Sequence, residues 1–183
     1  NNALILGDVD NDGDLDFIAV NTWRPDELYL NINGSGAFVK DNDFDDGDDA
    51  PAASFSTTAA FADIDADGDL DLLIGRRNAD NVLLFNDGAG KFITGDENTP
   101  TGTQATSAVA FADFDGDGDL DLILGSADDG GGADPELFFY THCTDGGAQL
   151  HGASACFACP PAMGRPDHNP SLCLECTPDI YSE

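Results

Sequence analysis

Apolar positions along the chain follow two patterns, and both belong to strands. In "STTAAFAD" (56–63) and "ATSAVAFAD" (105–113) apolar and polar residues alternate, as in a half-buried strand. In "FIAV" (17–20), "LLIG" (72–75) and "LILG" (122–125) a short apolar run is bounded by polar residues, the mark of a buried strand. Nowhere does the apolar spacing sustain a helical period.

Each short run follows a stretch with Asp at every second position. "DVDNDGDLDFIAV" (8–20), "DIDADGDLDLLIG" (63–75) and "DFDGDGDLDLILG" (113–125) align without gaps, with starts 55 and 50 residues apart. A second element follows. "ELYLNINGSGAF" (27–38) and "NVLLFNDGAGKF" (81–92) read as a strand, a Gly-rich turn and a return strand. The third copy keeps only a strand, "ELFFY" (136–140), before a Cys-rich tail. The first copy has a shorter lead-in, "NNALILGD". Each unit thus amounts to three or four short strands with polar loops, the size of a propeller blade. The predicted fold is all-β: three blades over 1–141, then a small Cys-rich unit over 142–183. The chain starts and stops within repeats and begins with Asn1, which fits a piece processed from something longer.

Charge changes the picture. The chain carries 36 acidic and 6 basic residues, a net charge of −30. That excludes nucleic acid and anionic membrane surfaces as natural partners. No apolar run approaches the roughly eighteen residues of a spanning helix, so no membrane insertion is expected. Five aspartates within nine residues repel one another and oppose folding unless a cation sits among them. In the third copy Asp113, Asp115 and Asp117 hold positions 1, 3 and 5, and Gly118 permits a sharp turn. Asp119 can offer its backbone carbonyl and Asp121 a further carboxylate. About six oxygens suit Ca²⁺ better than Mg²⁺, which demands stricter octahedral geometry. The first copy supplies Asp8, Asp10, Asp12, Asp14 and Asp16; the second supplies Asp63, Asp65, Asp67, Asp69 and Asp71. The expected cofactor is therefore Ca²⁺, about three ions. An EF-hand is excluded, because position 12 is Ala19, Ile74 or Leu124 rather than Glu and no helices flank the loops. A merely solvated acidic loop does not account for one spacing recurring three times beside a strand. The acidic stretch "DNDFDDGDD" (41–49) lies outside the motifs and reads as a solvated loop.

The motif D-x-D-x-D-G-x-x-D after an "FA" lead-in, followed by an apolar strand and N-x-G-x-G-x-F as in "NDGAGKF" (86–92), resembles the FG-GAP/VCBS repeat. The resemblance covers about residues 3–140. It implies the β-propeller blades found in integrin α chains and in many bacterial, algal and fungal surface proteins. It also implies that the fifteen aspartates named above bind Ca²⁺ between strands of a blade. Propellers of this family close with about seven blades, so three imply part of a larger or assembled propeller.

All five cysteines, Cys143, Cys156, Cys159, Cys173 and Cys176, lie in the tail. Two C-x2-C pairs leave a Cys₄ zinc site and a disulfide framework both open. A calcium-rich, sequon-bearing chain favours the oxidising exterior and disulfides. "SACFACPPAMG" and "SLCLECTPDIYS" resemble the ephrin-receptor-like Cys-rich repeat of extracellular proteins. That resemblance implies Cys143–Cys156 and Cys159–Cys173, with Cys176 joined to a partner outside the segment.

Other candidates are weaker. Asn33 in "NGS" is a glycosylation sequon in a predicted turn. Trp23 and Arg24 form a candidate ligand loop, although pairing of Arg24, Arg76 and Arg77 with nearby carboxylates, with Trp23 packed, explains them better. His142, His151 and His168 lack the spacing of a triad, and no nucleophile or base stands apart from the metal motifs, so no enzyme is expected. The expected role is extracellular: a calcium-binding repeat protein for adhesion, or a structural part of a cell-surface or fibrous assembly. Its expected partners are other protein chains, further copies of itself or glycans. A lectin-like propeller and an accessory domain of a secreted enzyme are the alternatives.

Overall fold

In a computed structural model the chain is described over residues 2–44, 55–95 and 105–126 except 115 and 117, and as backbone in three short strands beyond. The first sheet is β1 (Ala3–Gly7), β2 (Asp16–Val20), β3 (Glu27–Asn31) and β4 (Phe38–Lys40). The second is β5 (Ser56–Ala62), β6 (Asp71–Arg76), β7 (Val82–Asn86) and β8 (Phe92–Thr94). The third comprises β9 (Thr106–Ala112), β10 (Asp121–Ser126) and β11 (Glu136–Phe138). All are antiparallel meanders with strands neighbouring in chain order. A separate hairpin pairs β12 (Tyr140–His142) with β13 (Ala148–Leu150). The single strand read at 136–140 is thus two: Glu136–Phe138 pairs with β10, while β12 turns to β13 and crosses the expected boundary at residue 141.

The units superpose in register. Gly7, Ala62 and Ala112 oppose Asp16, Asp71 and Asp121 respectively. The return hairpin of the first sheet is one residue longer than that of the second, Asn31 pairing Phe38 and Asn86 pairing Phe92. The extra residue is absorbed in a 3₁₀ turn at Ile32–Gly34.

Two cores separate the sheets. Ile18 and Val20 of the first sheet meet Ala59, Leu72, Ile74 and Leu84 of the second. Leu73, Leu83 and Phe85 of the second meet Leu122 and Leu124 of the third. The second sheet is therefore covered on both faces, and every residue of β6 is buried. Covering both faces removes the need for alternation, which is why "LLIG" is unbroken. Each fully buried Leu or Ile contributes about 1.5–3 kcal/mol. The first strands β1, β5 and β9 run alongside one another and are stitched by polar bonds. Asn2 Nδ2 donates to Ser56 O (2.8 Å), and Thr57 Oγ1 donates to Thr106 O.

Candidate metal centres

The acidic loops join the first strand of each sheet to the second, so one end is anchored by β1 or β5 and the other by β2 or β6. Within the loop the aspartates first organise their own backbone. Asp8 Oδ2 accepts from Gly13 N (3.0 Å), Asp10 Oδ1 from Asp12 N (3.3 Å) and Asp12 Oδ1 from Asp14 N (3.0 Å). The second loop repeats this: Asp63 Oδ2 from Gly68 N (3.1 Å), Asp65 Oδ1 from Asp67 N (3.2 Å), Asp67 Oδ1 from Asp69 N (2.9 Å). Gly13, Gly68 and Gly118 at position 6 have φ of 92°, 99° and 98°, the left-handed turn that glycine permits.

Position 9 does something the sequence did not signal. Asp16 is fully buried; its Oδ2 accepts from Val9 N (2.9 Å) and its Oδ1 from Asn31 N (2.8 Å). Asp71 does the same with Ile64 N (2.9 Å) and Asn86 N (3.0 Å). Asp121 Oδ2 accepts from Phe114 N (2.8 Å). This aspartate clamps the loop to its strand and, in the first two units, to the third strand. The asparagine ending that strand was also missed. Asn86 Nδ2 bridges to Val9 O of the preceding unit (2.8 Å) and to Leu70 O (3.1 Å). The shared spacing of Asn31 and Asn86 after each motif was the available signal.

In the first two loops three of the five aspartates converge. Carboxylate oxygens of Asp8, Asp10 and Asp16 lie within 4.8 Å of one another, as do those of Asp63, Asp65 and Asp71. Positions 5 and 7 stand apart from these trios. Asp14 and Asp69 press on the hairpin turns, where a Cβ on Gly34 or Gly88 would come within 2.5 Å of their oxygens. Asp69 Oδ1 also accepts from Asn11 Nδ2 (2.7 Å) of the neighbouring loop. In the third loop Asp113 accepts from Gly116 N (2.7 Å) and Gly118 N (3.2 Å), and Asp119 is in place. Asp115 and Asp117 lie outside the described residues.

Electrostatics make the trios unfavourable as bare anions. Burial pushes the Asp71 carboxyl up to about 8, against the lowering effect of the Asn86 amide. Burial likewise raises Asp67 to about 6, with Asp65 and Asp69 adding repulsion. Asp63 and Asp10 are also raised, again by burial first. Asp8 Oδ1 and Asp63 Oδ1 are buried and make no hydrogen bond. A buried carboxylate oxygen left without a donor is costly, and a cation would satisfy it. Oxygens within 4.8 Å of one another can share one ion at the roughly 2.3–2.6 Å of Ca²⁺–oxygen contacts. The residues present therefore fit a hard divalent cation.

Elsewhere, Asn33 is exposed in its turn with φ 55°. Arg24 reaches Glu27 (3.6 Å) and Asn21 Oδ1 (3.1 Å), as the pairing reading expects, while Trp23 stays exposed with its ring edge-on to Phe55. Cys143, Cys156, Cys159, Cys173 and Cys176 lie outside the described residues.

No curated protein is significantly similar to the chain. The profile of the FG-GAP-like repeat matches it twice, over residues 8–74 and 63–124, each match running from one acidic loop through the next. With well over half its length so matched, and with the acidic loop repeating residue for residue, the chain belongs to the FG-GAP-like repeat family.

Proposed function

We propose that this is an extracellular calcium-binding repeat protein whose sheets are β-propeller blades and whose role is adhesion, or structure in a cell-surface or fibrous assembly. The observation that carries the reading is the orphaned, buried oxygen of Asp8 and of Asp63, each within a converging carboxylate trio. In this reading Asp8, Asp10 and Asp16 hold one ion and Asp63, Asp65 and Asp71 a second. Asp113 and Asp121 begin a third site. Asp12, Asp67 and Asp117 complete the shells directly or through water, and Asp14, Asp69 and Asp119 do so through their carbonyls. The ion supplies positive charge that neutralises the trio and ties the loop to the strands on either side of it. Metal binding is then part of the folding free energy. Three ions would bring the net charge from −30 to about −24, so the surface stays acidic. The Cys-rich tail is taken as a disulfide-stapled unit of the ephrin-receptor-like kind, Asn33 as a glycan site, and other protein chains as the partners.

The test is a thermal melt of the full chain with millimolar Ca²⁺ and again in EGTA, without reductant. Each site held at one hundred to one thousand times its Kd adds about 2.7–4.1 kcal/mol, so EGTA should lower Tm by many degrees. An unchanged Tm would remove the calcium reading and leave the loops as self-capped acidic turns.

A further inference from the structure

Two side-chain amides join the first acidic loop to the second, and one of these joints runs from carboxylate trio to carboxylate trio. Val9 lies between Asp8 and Asp10. Its N–H donates to Asp16 Oδ2 (2.9 Å), within the first trio. Its carbonyl accepts from Asn86 Nδ2 (2.8 Å), 77 residues on. The backbone N–H of Asn86 in turn donates to Asp71 Oδ1 (3.0 Å), within the second trio. Only Val9 and Asn86 thus stand between the Asp16 and Asp71 carboxylates. They are 0% and 1% exposed, so water does not compete for these bonds.

The second joint runs beside the first. Asn11, in the left-handed turn between Asp10 and Asp12, donates from Nδ2 to Asp69 Oδ1 (2.7 Å) and to Gly88 O (3.2 Å). Gly88 N donates to Asn86 Oδ1 (3.2 Å), so both joints end on one hairpin turn. The second and third loops lack the residue types for either joint. Ala66 stands at the place of Asn11 and offers Asp119 no side-chain donor. Glu136 opposes Leu124 as Val82 opposes Ile74, and four residues further on Tyr140 stands at the place of Asn86. Neither Ala nor Tyr carries an amide.

We infer that the first and second cation sites bind cooperatively, with Asn11 and Asn86 as the positioning residues that couple them, and that the third site binds independently of the second. The coupling rests on the calcium reading above. A cation in the first trio fixes Asp16 and, through it, the Val9 peptide. Asn86 and its hairpin are then held where Asp71 and Asp69 meet them, so the second loop has less order to gain when its own cation binds. Linkage makes the effect equal in both directions. One effect opposes it: a neutralised first trio attracts the second cation less. Salt screens that long-range term, whereas it leaves buried hydrogen bonds in place.

The test is calorimetric titration of the full chain with Ca²⁺ in about 0.5 M NaCl, where the screening length is well below 10 Å. Asp113→Asn removes a ligand of the third site and leaves two sites; adding Asp8→Asn or Asp63→Asn leaves one. The product of the two stepwise association constants, divided by the product of the two single-site constants, is the coupling factor. Its expected value is about fivefold or more. Asn11→Gly keeps the left-handed turn, as Gly116 does in the third loop. Measured in that background throughout, the factor should fall about twofold or more, while Tm in EGTA hardly moves. The second and third sites, isolated by Asp8→Asn, should give a factor near one. A factor near one for the first pair overturns the inference and leaves the calcium reading intact. A factor that Asn11→Gly does not change overturns it as well, and so does an equal factor for the second pair. Absence of any Ca²⁺ heat, with a Tm insensitive to EGTA, overturns both readings.

Discussion

At the scale of single residues, position 4 of the acidic loop is informative. Asn11, Ala66 and Gly116 all turn left-handed there, with φ of 57°, 55° and 82°. Asn and Gly tolerate this region, whereas Ala carries a Cβ that crowds the following carbonyl at a cost of about 1–2 kcal/mol. Ala66→Gly should therefore stabilise the protein, by about 0.5–1 kcal/mol after the extra chain entropy of glycine, read as a higher denaturation midpoint at unchanged slope. Two neighbouring aspartates separate metal binding from scaffold. Asp63→Asn keeps an oxygen for Gly68 N but removes an anionic ligand; Tm in EGTA should hardly move, while the gain from Ca²⁺ at that site should vanish. Asp71→Ala leaves Ile64 N and Asn86 N buried without acceptors, about 1–3 kcal/mol each, and Tm should fall with and without Ca²⁺. Equal behaviour of the two variants would refute a clamping role for Asp71 beyond its place in the trio.

At the scale of the loop and its strands, the raised carboxyls make stability depend on pH, with a sign that the ion reverses. Asp71 at about 8 and Asp67 at about 6 both lie above the ordinary 3.8. A carboxyl raised on folding holds its proton more tightly in the native state. Its stabilising effect is full below about pH 4 and is lost as pH rises through the folded value. In EGTA, Tm should accordingly rise between pH 8 and pH 5.5. With Ca²⁺ the ligands must be deprotonated, so the stabilisation by metal should grow from pH 5.5 to 8. Melts at three pH values, with and without Ca²⁺, should diverge as pH increases; parallel curves would show that no ion replaces the protons.

For the molecule as a whole, a net charge of −30 works against the compact state. Raising NaCl from about 0.05 M to about 0.5 M shortens the screening length well below 10 Å and should raise Tm in EGTA. The increase should be smaller with Ca²⁺, where part of the repulsion is already neutralised; differential scanning calorimetry would read both.

The strand order, the gapless repeat and the acidic loops were legible in the chain because each depends on neighbours in sequence. Alternation marks β5 and β9, a short apolar run marks β6, and Asp at every second place with Gly at position 6 marks a turn that only local backbone geometry requires. Spacing places all five aspartates of a loop in one ligand set, because it does not tell which side chains converge. Packing divided them. Asp16 and Asp71 became clamps as well as members of the trios, because the third strand of the same sheet brings Asn31 N and Asn86 N to them across 15 residues. Asp69 was turned toward the loop of the preceding unit, 58 residues away, where Asn11 meets it. The split at 136–140 was likewise decided by which strand each half could pair with, a long-range choice. The sequence by itself thus determined what each unit is, through local periodicity and turn chemistry. Only the tertiary structure decided which carboxylates meet and which sheet faces cover one another, because both depend on what a distant part of the chain places opposite them.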